Sequence, residues 1–238
     1  MTDSTRTTED QEASRWSAAP IGRVAAPVKE QVVNAIRDAI LDFKLKPGDR
    51  LVEREIITSM EVSRATVREA ISVLASEGLV TVIPQRGAHV AAPSLEDAED
   101  LYEVRAALES LVVRRFISRA NENEFVTLEA SVERMAAKLD EEPAVIDFLR
   151  AKDEFYEVLL AGARSSSLTQ LLGSIQARVR LLRVTSLSTA DRLPRVVQEM
   201  RDIVDAIFAR NPDRAARLMA EHIQMASRLA LHALRETK

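Results

Sequence analysis

The chain has 238 residues, a formal charge of −4, 46% hydrophobic and 4% aromatic residues, 6 Gly and no Cys. That length suits two domains and that apolar fraction is ample for a core. The absence of cysteine excludes disulfides and thiolate metal sites and fits a reducing cytoplasm, while no apolar run approaches the roughly 18 residues of a membrane span.

The opening stretch, MTDSTRTTEDQEASRWSAAP, is polar, carries Pro20 and lacks the apolar middle of a signal peptide. We read 1–25 as a disordered tail. Few glycines and aromatics beside much Ala, Leu, Glu and Arg favour helices over a β-sandwich. A compact segment, 26–92, follows. Val32, Val33, Ile36 and Ile40 recur at helical spacing, and Pro47-Gly48 then forces a turn. A short helix over 53–60 comes next, and another starts at Arg64 and ends near Glu77-Gly78, where Gly78 suits the left-handed residue past a helix end. LVTVI, the turn PQRG and AHVAA read as a hairpin. Helix, helix, short turn, helix, hairpin is the order of a winged helix-turn-helix.

The helix from Arg64 has two unlike sides. At about 100° per residue, Val67, Ala70, Ile71 and Leu74 share one apolar face. Arg64, Ala65, Arg68 and Ser72 lie roughly opposite. Ser63 can cap the first turn, and small Ala65 permits close approach to a surface. Guanidinium groups at such a helix start can fork onto guanine O6 and N7, and the helix terminus favours phosphate. Thr66 lies near enough to that terminus for its hydroxyl to meet a phosphate. Arg54 opens the preceding helix, and Arg86-Gly87 sits at the hairpin tip, where a wing would touch a minor groove. The alternative for Arg64 and Arg68 alone is a solvated face. Four arginines at the four places where a winged helix meets DNA favour the nucleic-acid reading.

From Ser94 the pattern is helical to the end. Six amphipathic helices are predicted, over 95–119, 122–140, 143–162, 167–187, 194–209 and 212–236. Ser94 and Asp97 form a capping box at the first, while Asn211 and Pro212 open the last. Together they make 93–238 an all-helical domain with its own core. Arg105, Lys152 and Arg178 sit at helical spacing with apolar residues, so they are predicted to point inward, where a cation needs a partner. One reading gives them salt bridges, or lets Lys152 snorkel out. The other gives them an anionic effector, with Tyr156 donating a hydrogen bond. His222, beside Leu218, Met219 and Ala226, is an inner-face histidine open to a core hydrogen bond or an effector contact. His89 and His232 have no assigned role. An enzyme is not expected, because there is no Cys nucleophile, no Gly-rich phosphate loop and no His pair at ligand spacing.

The stretch LKPGDRLVEREIITSMEVSRATVREAISVLASEGLVTVIPQRGAHV resembles the DNA-binding domain of GntR-type bacterial transcription regulators. The resemblance implies DNA contacts at Arg54, Ser63, Arg64, Ala65, Thr66, Arg68, Arg86 and Gly87. Two positions depart from the family pattern: Glu61 stands where a turn Gly is usual, at about 1 kcal/mol if left-handed, and Ala65 where Thr is frequent. DLYEVRAALES, AKDEFYEVLLAGA, QEMRDIVDAI and AARLMAEHI resemble the helical FCD effector domain of the FadR branch. Many FCD domains hold a divalent metal through Asp and several His. Here Tyr156, Lys152 and Met200 stand at three of those positions, Asp153 is one residue out of place, and His222 alone remains, so no metal is expected.

These readings imply a mainly α protein, a winged helix-turn-helix followed by an FCD-type six-helix bundle. The expected function is a cytoplasmic, homodimeric, DNA-binding transcriptional repressor on an inverted-repeat operator. A small carboxylate would control it through Arg105, Lys152, Tyr156, Arg178, Met200 and His222. The alternatives are a metal-dependent regulator of the same class and a winged-helix protein-interaction module that does not bind DNA.

Overall fold

A computed structural model describes residues 27–139, 145–187 and 192–236; the tail read over 1–25 lies outside them. The chain separates into two compact units, one up to Ala92 and one from Pro93.

In the first unit, α1 (Val28–Leu41) buries Val32, Val33, Ile36, Ala39 and Ile40. Strand β1 (Arg50–Leu51) precedes α2 (Glu53–Met60) and α3 (Arg64–Ser76), and the hairpin is β2 (Val80–Ile83) and β3 (Gly87–Val90). The sheet order is β1-β3-β2, both pairings antiparallel, with Arg50 opposite His89 and Val80 opposite Val90. Sequence reading missed β1, because two residues are too short to show an alternating pattern.

Local chemistry sets the element ends. Glu61 closes α2 in the left-handed region, at φ 53° and ψ 41°. This is the conformation a glycine would adopt more easily, so the departure from the family pattern falls on a strained position. Gly78 takes φ 73° past the end of α3, and the Leu79 amide donates to the Leu74 carbonyl at 3.0 Å. Arg37 of α1 forks onto Glu77 at 2.6 and 3.2 Å, tying α1 to the end of α3.

The second unit is six helices: α4 (Leu95–Arg119), α5 (Glu122–Ala137), α6 (Val145–Ala163), α7 (Ser166–Leu187), α8 (Arg192–Phe208) and α9 (Pro212–Glu236). Capping boxes start α4 at Ser94/Asp97 and α5 at Asn121/Glu124. Asn211 accepts from the Arg214 amide at 3.0 Å to open α9. Helix α8 starts two residues before the predicted 194. Pro194 is tolerated there because first-turn amides have no partner inside the helix.

The long α4 packs most extensively on α9 and also touches α6 and α7, while α5 lies on α6 and α8. Fully buried Phe116, Phe125, Phe148 and Phe155 fill the middle. Gly162 lets α6 approach α4: a Cβ there would fall 2.4 Å from the Phe116 ring. No helix among the described residues is long and apolar enough to cross a membrane.

Candidate DNA-reading face and buried polar cluster

Helix α3 buries Val67, Ala70, Ile71 and Leu74 and turns Arg64, Ala65 and Arg68 outward. The Ser63 Oγ accepts the Thr66 amide at 3.1 Å and lies 2.8 Å from the Thr66 hydroxyl. The predicted cap is therefore present, and the Thr66 hydroxyl rests on Ser63 rather than projecting alone. Arg54 on α2, and Arg86 and Gly87 at the wing, are exposed. Arg54, Arg64 and Arg86 have no hydrogen bond or ion pair among the described residues.

Arg68 donates from Nε to both carboxylate oxygens of Glu53 at 3.2 Å. With Arg68 65% exposed, that pair is worth about 0–1 kcal/mol and yields readily to a phosphate or a guanine. Sequence reading overlooked Arg50. The β1–β3 pairing brings its guanidinium beside the wing, 3.9 Å from the point where a Cβ on Gly87 would lie. Gly87 itself has φ +91°, a conformation open to glycine. The only local signal for Arg50 was its place directly after the Pro-Gly turn.

The second unit gathers charges inside. Arg105, Glu109, Lys152, Arg192 and His222 are all at most 4% exposed. On α4, Arg105 Nε donates to Glu109 Oε1 at 2.5 Å, and Nη2 donates to the Tyr156 hydroxyl at 2.7 Å. Its guanidinium carbon lies 5.4 Å from the Tyr156 ring centre and 5.9 Å from that of Tyr102. Burial pulls the Arg105 pKa down, but Glu109 and Tyr156 outweigh it and the group stays charged. Its third nitrogen, Nη1, is buried without a hydrogen-bond partner among the described residues.

Lys152 of α6 lies 2.8 Å from His222 Nε2 of α9. On the other side of the ring, Nδ1 hydrogen-bonds to Glu199 of α8. Arg192 forks onto the same carboxylate at 2.5 and 3.0 Å. Burial, reinforced by the Lys152 charge, pushes the His222 pKa well below its usual value against the pull of Glu199. The ring is thus neutral, and the network assigns its tautomer: Nδ1–H donates to Glu199 and Nε2 accepts from Lys152. Burial would raise the Glu199 carboxyl, but the hydrogen bonds from His222 and Arg192 hold it at about 2.

Of the predicted inner residues, the fold brings Arg105, Lys152, Tyr156 and His222 into this cluster. Met200 is fully buried on α8. Arg178 does not join them. Val179 and Leu182 take the buried side of α7, while Arg178 stays partly exposed and acts on the Asp97 carboxylate of α4. Its spacing from Ile175 misled the prediction, because Ile175 is itself only partly buried. Asp153 pairs with Arg180 rather than turning to His222. Sequence reading missed Glu109, Arg192 and Glu199 as members. The Arg105–Glu109 pair was legible as an i, i+4 spacing; Arg192 and Glu199 share α8 seven positions apart, and Glu199 reaches His222 only across the packing of α8 on α9.

This donor set does not suit the divalent metal that the fold family often carries. The lone pair of His222 Nε2 is taken by Lys152, and Glu199 is engaged by His222 and Arg192. Among the described residues no three His, Asp or Glu side chains converge on a point where an ion could sit. A cleft of about 380 Å³ between α8 and α9 is lined by Glu199 and His222 of the cluster together with Asp202, Glu221 and Arg228.

Residues 28–90 match the family described as bacterial regulatory proteins, gntR family, and residues 100–225 match the FCD domain. The chain is 31% identical to the HTH-type transcriptional regulator BphR of Paraburkholderia xenovorans, over 87% of this chain and 86% of that one. It is 29% identical to the HTH-type transcriptional repressor RspR of Escherichia coli, over 83% of this chain and 86% of the relative. Among solved structures, a GntR transcriptional regulator from Rhodococcus sp. RHA1 superposes with a TM-score of 0.75 at 27% identity, covering 86% of this chain and 97% of that one. With an outward-facing arginine helix in the first unit and a six-helix bundle in the second, the chain belongs to the GntR family: it is a DNA-binding transcriptional regulator with an FCD effector domain, and not an enzyme.

Proposed function

We propose that this regulator is a cytoplasmic homodimeric repressor whose hold on an inverted-repeat operator is modulated by a small carboxylate bound in the helical unit. The observation that carries the effector reading is Arg105 Nη1, a buried cationic donor with no protein partner among the described residues. An unsatisfied buried donor is costly, and a ligand carboxylate would satisfy it with a charge-assisted hydrogen bond. Lys152 supplies a second cation near Tyr156, 5.9 Å from the ring centre. The relative RspR is named a repressor, which supports the same sign of control here.

In this mechanism Arg64 and Arg68 read base edges in the major groove. Ser63 and Thr66 meet the backbone at the helix start, Arg54 holds a phosphate, and Arg86 and Gly87 enter the minor groove beside Arg50. Symmetry of the two reading heads is mirrored in the operator, and affinity falls steeply with salt because the release of counterions from DNA gains less entropy as bulk salt rises. The carboxylate controls the operator by favouring one dimer shape over the other, which requires different affinities for the two.

A thermal-shift screen of small carboxylic and sugar acids, followed by calorimetry, tests the effector arm. Arg105→Lys keeps the charge beside Glu109 but removes Nη1, and Lys152→Met removes the second cation. Each is expected to weaken the acid found by at least tenfold. Unchanged affinity in both variants rejects the site. A gel shift on DNA upstream of neighbouring genes tests the operator arm.

A further inference from the structure

The outward side of α4 carries an order that neither the DNA face nor the buried cluster uses. Its inner side, with Leu101, Arg105, Val112 and Phe116, is buried. On the outer side, Val104 is 48% and Leu111 40% exposed, on one helical stripe. Ala107 and Asp100 are exposed beside them, and Leu108 and Arg115 are partly exposed. At about 100° per residue, these six residues share an arc of about 100°. Neither Asp100 nor Arg115 has an ion pair among the described residues.

The stripe has apolar residues at matched positions about its middle and opposite charges at its two ends. Ala107 and Leu108 are at its middle; Val104 and Leu111 stand equally far to either side; Asp100 and Arg115 close the two ends. We infer that this stripe is a self-complementary surface that receives the same stripe of a second copy of the chain, antiparallel, about a two-fold axis between Ala107 and Leu108. A two-fold interface presents one patch to itself, so each residue must meet its mirror position. Here the operation sets Asp100 against the partner's Arg115 at both ends and Val104 against the partner's Leu111 between them. A parallel pairing would set Asp100 against Asp100 and Arg115 against Arg115, which charge repulsion disfavours. The matched ends are 15 residues apart, about 22 Å of helix.

The inference rests on the dimer reading above and says which face makes the dimer. Sedimentation of the full chain at micromolar concentration tests it. Asp100→Arg alone, and Arg115→Asp alone, each set like charges together twice and are expected to weaken the dimer at least tenfold. Asp100→Arg with Arg115→Asp restores opposite charges and is expected to recover affinity to within about threefold. Circular dichroism checks that each variant is folded. Because the chain has no cysteine, an introduced thiol is the only one present. Ala107→Cys is expected to crosslink to itself on mild oxidation, whereas Val126→Cys, 61% exposed on α5, is not. A chain that remains dimeric in both single variants, with Ala107→Cys uncrosslinked, overturns this surface and leaves the dimer reading intact. A double variant no tighter than the singles overturns the antiparallel charge pairing. A parent chain that sediments as a monomer overturns both.

Discussion

The two units use cations in opposite ways. In the first, Arg54, Arg64 and Arg86 face solvent without a partner among the described residues, and Arg68 holds Glu53 through an exposed, weak pair. In the second, Arg105, Lys152 and Arg192 are withdrawn from water and locked to Glu109, His222 and Glu199. An exposed guanidinium remains hydrated and free to exchange water for phosphate, so it contributes to binding and little to folding. A buried one is part of the fold, since removing its partner leaves a charge in a medium that does not solvate it. The comparison teaches that substitutions of similar chemistry should separate cleanly into binding defects and folding defects, according to the unit.

The largest expected effect is on the folding side. Glu109→Ala strands the fully buried Arg105 guanidinium and should lower stability by about 3–5 kcal/mol in urea denaturation. If the loss is below about 1 kcal/mol, the buried pair is not the constraint described here. On the binding side, Arg64→Met should weaken a specific operator by about 1–3 kcal/mol, roughly fivefold to 150-fold, with the melting temperature unchanged. A fall in melting temperature equal to that of Glu109→Ala would break the distinction between the units.

The pH dependence sharpens it further. The folded His222 pKa lies well below the ordinary imidazole value of 6.5, so as pH falls the unfolded chain takes up a proton that the folded one refuses. Its stabilising contribution is whole above that value and is lost as the medium is acidified below it. Glu199, held at about 2 against the ordinary glutamate value of 4.5, acts in the same direction below pH 4.5. Thermal melts of the parent between pH 7 and pH 5 should fall, and His222→Gln should flatten that slope. The smallest effect is at the cap of α3. Ser63→Ala removes the bond to the Thr66 amide and should cost about 1 kcal/mol of stability, read in the same denaturation.

Much of the reading face was legible from the residues. The apolar face of α3, the Ser63 cap, Gly78 past the helix end and the turn of the hairpin each depend on neighbours within about four positions, so their spacing alone announces them. Strand β1 was not, because its pattern lies in its partner: Arg50 and Leu51 become a strand only by pairing with His89 and Ala88. In the helical unit, cation positions were readable to within a helical face. Arg105 and Lys152 do point inward, while Arg178, judged by the same criterion, stays near the surface. Amphipathic spacing identifies a side of a helix, and the width of the buried stripe varies with what packs on it.

The amino-acid order by itself determined which segments are helical, where the chain divides in character and that a basic helix start faces away from an apolar side, since these follow from backbone periodicity and capping between near neighbours. Only the tertiary structure decided which polar groups meet: Lys152 and His222 are 70 positions apart, and Arg105 and Tyr156 are 51. Contacts at that range depend on how helices rotate and slide as their apolar faces pack, and no local pattern encodes that register.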